Sequence, residues 1–571
     1  MAIYNGTTGD DYIVGSDEAD EMYGLAGHDN LRGGLSDDLI NGDEGDDYLQ
    51  GQDGNDTMSG GAGLDNVYGG AGDDILNGDA GVDWLIGSVG ADTMDGGADF
   101  DTISYLDSTV AVTIYLDGTA CSGGEAEGDT VVNVERVFGS DFNDTLQGTD
   151  ADDYLVGGLG IDTLNGFGGN DIIFGEDGAD IIDGGDGDDY IDGGDGFNTI
   201  TGGLGADNIR GGNDDDIING DDGDDYLLGQ NGNDTINGGA GNDSLFGGNG
   251  KDIMNGGTGD DWFIGGNGKD TMDGGDDIDT ADYTTALVGD FFGIRVYLDG
   301  TEGDISSIYS ESSKGDTLIN IENVIGSEHN DFIYANGADN NIRGQGGDDS
   351  IISAFGANTL DGGDGIDNII YQTAPSGVTV SLLDGTASGV TAEIDTLLNF
   401  ESITGSNFND FLTGDANNNN LYGLVGNDDI DGGAGNDTIA GGDGDDTLEG
   451  GDGTDNIFGG DGDDEIIGGE GIDNLDGGFG ADTLTGGAGA DTFYYANEFN
   501  TVSLAYDTIT DFVEGEDILE FQDSVFGTDW TDFIIDTTSG TETVLTHAIV
   551  ADFELHLDGD LFLSVDEFDF T

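Results

Sequence analysis

Glycine returns every ninth residue of this chain. From Gly6 it recurs at Gly15, Gly24, Gly33 and on to Gly96, eleven units without a slip. A second run of sixteen units goes from Gly139 to Gly274, a third of five lies between Gly326 and Gly362, and a fourth of ten between Gly405 and Gly486. The unit reads GGxGxDxUx, where U is a large apolar residue. Its sixth position is Asp in 38 of the 42 units, with Asn198, Asn340, Asn358 and Asn419 as the exceptions, and its eighth is apolar throughout, from Ile13 to Phe493. No unit this short can bury its own apolar face, so the units must stack into a solenoid.

The unit Gly69 to Asn77 shows why these residue types recur. Its glycines permit a sharp turn at backbone angles closed to other residues and leave carbonyl oxygens exposed inside the turn. Three residues of strand follow, and period-two alternation sends Leu76 inward and Ile75 and Asn77 outward. Two nonapeptides make one coil, with a turn on each side. Stacked coils superpose Asp on Asp, and such rows of carboxylates repel unless cations lie among them. Calcium takes six to eight oxygens at roughly 2.3–2.6 Å and suits the slot. The expected fold class is therefore all-β, a parallel solenoid of nonapeptides.

The repeats resemble the repeats-in-toxin family, the haemolysin-type calcium-binding repeats, over residues 6–104, 139–282, 326–370 and 405–494. The resemblance implies a calcium-bound β-roll in which the sixth-position Asp and the turn carbonyls bind the ion. Carried onto this sequence, the metal ligands are Asp29, Asp47, Asp56, Asp65, Asp74, Asp83 and Asp92 in the first block. In the second they are Asp162, Asp171, Asp180, Asp189, Asp207, Asp225, Asp234, Asp243, Asp252, Asp261 and Asp270. The third contributes Asp349 and Asp367, and the fourth Asp428, Asp437, Asp446, Asp455, Asp464, Asp473, Asp482 and Asp491. Ions on the order of 30 are implied. Glu18, Ser36, Asp99, Phe142, Asp214 and Asp277 replace the fourth-position glycine, and those units depart from the family pattern.

Charge adds a mechanism. With 124 acidic against 8 basic residues, the net charge of −116 opposes any compact state without cations and excludes nucleic acid as a partner. Calcium then acts as a folding ligand. Extracellular modules of this kind need calcium near about 10⁻⁴ to 10⁻³ M, so the chain is expected to stay unfolded in the cytosol and to fold outside.

Residues 1–104, 139–282, 326–370 and 405–494 form four roll blocks, separated by three inserts at 105–138, 283–325 and 371–404. Each insert begins at a tyrosine, Tyr105, Tyr283 or Tyr371, and ends with Glu135, Glu322 or Glu401 shortly before the next block. Each is expected to be a β insert that ends one roll and starts another. Residues 495–571 resemble the cap and secretion segment of type I secreted members of the family, with an acidic, aromatic tail from Asp566 to Thr571. Residues 1–5 carry no secretory signal peptide and no apolar run is long enough to span a membrane, so the expected route is type I export from a Gram-negative cell. The lone Cys121 forms no internal disulfide.

Aromatics recur every 36 residues at the outward seventh position: Tyr12, Tyr48 and Trp84, then Tyr154, Tyr190, Tyr226 and Trp262. Thirty-six residues are two coils, or about 9.6 Å along the stack, close to a disaccharide repeat. These seven are candidate glycan contacts, although Tyr12, Tyr48 and Trp84 recur 178 residues later as Tyr190, Tyr226 and Trp262, so a duplicated segment would carry the ladder whether or not it is used. Catalytic motifs are absent: His28, His329, His547 and His556 show no HExxH spacing, and there is neither a GxSxG elbow nor a phosphate loop. Enzymes and toxins of the family carry their active domain ahead of the repeats, and here repeats begin at residue 6. The leading expectation is a secreted, non-enzymatic, calcium-folded component of a cell surface, matrix or surface layer, self-assembling or bound to surface polysaccharide. The alternatives are a glycan-binding adhesive module and an accessory relative of a secreted hydrolase or polysaccharide-modifying enzyme.

Overall fold

The computed structural model describes residues 2–285, 293–300, 315–389, 394–495, 507–513, 517–521, 533–536, 542–547, 554–558 and 568–569. The chain forms a parallel β-solenoid. Each strand pairs in parallel with the strand eighteen residues on: Tyr48 lies against Asn66 and Trp84 against Asn66 from the other side. Two nonapeptides thus make one coil. From Met22 to Phe493 every eighth-position residue, whether Leu, Ile, Val, Met, Phe or Ala, is buried to within 1% exposure.

The described chain divides into two compact units, Met1–Ala281 with Gly315–Ile321, and Asp282–Lys314 with Glu322–Thr571. In the first unit one sheet runs unbroken from Tyr12–Val14 to Trp262–Gly268, passing through strand Arg136–Phe138 of the first insert. The other face carries a 7-stranded sheet that ends on Thr130–Val132 and a 10-stranded sheet that starts on Thr113–Tyr115. Contrary to the expectation that each insert ends one roll and starts another, the first insert does not end the roll. It breaks one face only and supplies the next rung of the other.

The second unit repeats the arrangement. Its 12-stranded sheet starts on Arg295–Tyr297 and passes through the third insert by way of Ser402–Thr404. On the opposite face Thr359–Asp364 pairs with Ile394–Leu398, and the small antiparallel strand Thr386–Ser388 joins that rung to Thr379–Ser381. Beyond the last repeat, Asp507–Ile509 and Ile518–Phe521 continue the two sheets in parallel. An antiparallel meander, Phe533–Asp536, Glu542–His547 and Glu554–Asp558, follows and returns to Asp507–Ile509. Of the acidic tail expected to signal export, only Phe568–Asp569 is described; Asp566, Glu567, Phe570 and Thr571 lie outside the described residues.

Candidate metal centre

Each turn is shaped by its glycines. In the unit at Gly69, φ is +117° at Gly70 and +137° at Gly72, a region closed to most side chains. A side chain at Gly72 would also run into the Gly54 carbonyl of the preceding coil, so the turns stack backbone on backbone. The first glycine matters differently. A Cβ placed on Gly432 would lie 2.6 Å from Asp437 Oδ2 and 2.6 Å from the Gly450 carbonyl oxygen. A carboxylate oxygen and a carbonyl oxygen of the next coil thus converge on the point that glycine leaves open.

The sixth-position aspartates form two ladders, one on each side. The backbone N–H of Asp29 donates to Asp47 Oδ1 at 2.7 Å, that of Asp47 to Asp65 Oδ1 at 2.7 Å, and on the opposite side that of Asp56 to Asp74 Oδ1 at 2.7 Å. One oxygen of each carboxylate is used in this way. The second is buried and has no hydrogen-bond partner at the aspartates that the repeat register singled out from Asp29 through Asp482, and equally at Asp38, Asp101 and Asp216. A buried, unpaired carboxylate oxygen costs several kcal/mol unless a cation meets it. Burial pushes Asp47 and Asp56 up to about 6 and Asp74 and Asp83 up to about 7, the neighbouring N–H opposing and the carboxylates along the ladder adding to the rise.

Among the described residues no three His, Cys, Asp or Glu side chains gather as a metal cluster. Carboxylates alone do not complete a coordination shell of six to eight oxygens, and the remainder falls to turn carbonyls such as that of Gly450. Hard oxygen donors, negative charge and orphaned carboxylate atoms all fit calcium.

Blocks open differently. Thr7, Ser16, Ser140, Thr149, Ser327 and Ser406 stand at the second position, and each donates its backbone N–H to Oδ2 of Asp11, Asp20, Asp144, Asp153, Asp331 or Asp410, with its hydroxyl on the same carboxylate. The Ser16 N–H holds Asp20 below the ordinary carboxylate value. At Asn198 the amide Nδ2 donates to the Gly211 carbonyl oxygen at 3.3 Å, taking up the very oxygen that faces the slot elsewhere.

Sequence reasoning missed the residues that carry the ladders past interruptions. Asp129, Asp316 and Asp395 accept the N–H groups of Asp92, Asp270 and Asn358 at 2.8, 2.9 and 3.0 Å. Glu135 and Glu401 accept those of Asp101 and Asp367, and Asp507 and Asp517 those of Asp482 and Asp491. The available signal was an Asp-Thr pair at 129–130, 316–317, 395–396 and 507–508, outside any glycine frame.

A family profile described as the RTX calcium-binding nonapeptide repeat matches residues 5–103, 133–281, 325–369 and 404–502. The chain belongs to the RTX repeat family. RTX nonapeptides bind calcium, and the number present here means many ions. The repeats support a secreted calcium-binding β-roll protein of Gram-negative type. No curated protein matches the chain. Among solved structures, the AlgE6R3 subunit from the Azotobacter vinelandii mannuronan C5-epimerase matches at 32% identity over 22% of this chain and 78% of its own, with a TM-score of 0.19. The extracellular lipase LipA from Serratia marcescens matches at 18% identity over 46% of this chain and 43% of its own, with a TM-score of 0.16.

The aromatic residues of the RTX blocks lie where the spacing put them. Tyr12, Tyr48, Trp84, Tyr154, Tyr190, Tyr226 and Trp262 all stand on the unbroken sheet of the first unit. They are not isolated rings two coils apart. Tyr68 lies 5.1 Å from Tyr48, Phe138 5.7 Å from Trp84, Phe174 5.6 and 5.9 Å from Tyr154 and Tyr190, and Phe246 4.7 Å from Tyr226, centroid to centroid.

Proposed function

We propose that this RTX chain is a non-enzymatic, calcium-folded component of a cell surface, matrix or surface layer, exported by a type I system and ordered by calcium outside. The observation that carries the reading is the pair of aspartate ladders, with one buried oxygen of nearly every rung lacking a partner. In this reading Oδ2 of the aspartates from Asp29 to Asp491, with the carbonyl of the first glycine one coil on, holds the ion. Calcium supplies the positive charge that lets adjacent coils close; the chain supplies the oxygens and keeps water out through its buried eighth-position residues. The test is light scattering on the purified chain, titrated from chelator to about 10 mM calcium, well above the range such modules need. Collapse to a compact form with growth into large assemblies supports a surface-layer or matrix role. Collapse at constant mass would favour a soluble binding module, and no response would sink the reading.

A second reading, glycan binding, is favoured by the inequality of the two faces. The unbroken sheet of the first unit bears the aromatic ladder, and Arg32, Arg136 and Arg210 stack over Tyr12, Tyr154 and Tyr190 at 5.8, 4.6 and 5.4 Å. The opposite face, from Thr163–Gly168 to Thr271–Asp276, presents alternating Thr and Ile at the seventh position and Asn, Asp or Thr at the ninth. Nothing in the coil demands this difference, since both strands obey one rule. Rings and guanidinium planes offer stacking surfaces to sugars. A Tyr190→Ala, Tyr226→Ala double variant should lose polysaccharide binding with its calcium dependence unchanged; retained binding rejects this second reading.

A further inference from the structure

Nine residues on from Gly96, Gly274 and Gly362, where the next first-position glycine belongs, stand Tyr105, Tyr283 and Tyr371. The backbone keeps the glycine's own bond. Gly15 N–H donates to the Arg32 carbonyl, immediately before Gly33, at 2.7 Å. Tyr105, Tyr283 and Tyr371 donate likewise to Phe138, Ile325 and Thr404, immediately before Gly139, Gly326 and Gly405, at 2.9, 2.9 and 2.8 Å. These tyrosines are thus in register with the repeats, at a position where a side chain would enter the metal slot.

In a repeat that side chain collides with the aspartate five residues on, as the Cβ at Gly432 does with Asp437. Five residues after Tyr105 and Tyr371 stand Val110 and Ser376 instead. Both tyrosines are nearly inaccessible, 2% exposed at Tyr105 and 6% at Tyr371. The Tyr105 hydroxyl donates to Asp129 Oδ2 at 2.8 Å, and the Tyr371 hydroxyl to Asp395 Oδ2 at 2.9 Å, where Ser353 Oγ also donates at 2.9 Å. Asp129 and Asp395 are the aspartates that continue a ladder, with Oδ1 on the N–H of Asp92 and Asn358. The oxygen left without a partner in the repeats is therefore satisfied by a phenol here.

We propose that Tyr105 and Tyr371 each take the place of a calcium ion, so that the coil closing a block at these inserts holds together without metal. The proposal rests on the ligand assignment above and sharpens it: Asp129 and Asp395 belong to the ladder but hold no calcium. The phenol suits the exchange because one O–H meets one carboxylate oxygen in a dry site, whereas an ion needs a full shell of oxygens. With the second-position serines and threonines closing the first coil, blocks would be bounded by hydrogen-bonded coils and filled with calcium between them.

The test uses the full chain, with bound calcium counted by equilibrium dialysis and the folding midpoint read from circular dichroism during a calcium titration. Asp129→Asn keeps an acceptor for the Asp92 N–H and turns an amide toward the phenol oxygen. It should leave both readouts unchanged, while Asp83→Asn should lose bound calcium and shift the midpoint upward several-fold. Tyr105→Phe keeps the ring but strips Asp129 Oδ2 of its partner, and should either raise the midpoint or add a bound ion. The proposal is overturned if Asp129→Asn behaves like Asp83→Asn, or if Tyr105→Phe matches wild type in both readouts. Should Asp129→Asn fail to fold at any calcium concentration, Tyr105→Phe decides alone. If Asp83→Asn itself loses no calcium, the ligand assignment fails, a result separable from the behaviour of the tyrosine variant.

Discussion

Asp83 accepts the backbone N–H of Asp65 on Oδ1 at 2.8 Å, while its Oδ2 is buried with no hydrogen-bond partner. The first oxygen is structural and ties one coil to the next. The second has been taken from water without compensation from the chain, and repeating that imbalance along two ladders makes the fold conditional on cations.

Asp234 and Asp243 sit on opposite ladders at the middle of the second block, each with an unpaired Oδ2. Replacing both with Ala should raise the calcium needed for folding several-fold and leave the metal-free chain unchanged, as read by circular dichroism across a calcium titration. Equal midpoints for variant and wild type would refute the ligand assignment.

Acid and calcium should act as alternatives. Burial raises Asp47 and Asp56 to about 6 and Asp74 and Asp83 to about 7 in the folded coil, against 3.8 ordinarily, so the metal-free fold holds more protons than the unfolded chain between those values. Its stability is then greatest below about pH 4 and is lost as pH rises through 6 to 7. In chelator, the radius of gyration should grow over that window. At saturating calcium the compact form should persist through that window, because the ion replaces the protons that these carboxylates lose.

Glycine substitutions should sort by position. Gly432→Ala drives a methyl between Asp437 Oδ2 and the Gly450 carbonyl, whereas a methyl on Gly9 meets nothing within 4 Å. The first should weaken calcium-dependent folding severely; the second should stay within about 0.5 kcal/mol of wild type in a denaturant titration at saturating calcium.

Leu227 is fully buried at an eighth position. Leu227→Ala should cost about 2–5 kcal/mol. Because each coil touches only its neighbours, hydrogen exchange should rise in the coils beside it and leave the fourth block unaffected.

The roll, its coil length and the aspartates were legible because one nine-residue period specifies all three. What interrupts the period was not. Asp129 follows Asp92 by 37 residues rather than 18, so nothing in the linear spacing marks it as the next rung; only the pairing of Thr93–Asp95 with Thr130–Val132 does. Tyr105 was visible as the start of an insert, but its place at a glycine register means something only once the slot beside that glycine is known. Tyr68 and Phe246 escaped notice as ring partners because they follow Tyr48 and Tyr226 by 20 residues, a contact that exists only after the coil has closed.

A nonapeptide is half a coil, so the solenoid has a parity. Tyr190, Asn208 and Tyr226 follow one another across a single sheet because they differ by even numbers of units. Deleting residues 211–219 would keep every apolar residue inward and every aspartate at a turn, and the stack would still close. Yet Tyr226, Phe246 and Trp262 would emerge on the side opposite Tyr12 and Tyr190. The core is indifferent to odd and even; the two faces are not, and a lineage that gains or loses repeats singly must scramble its surface while preserving its fold.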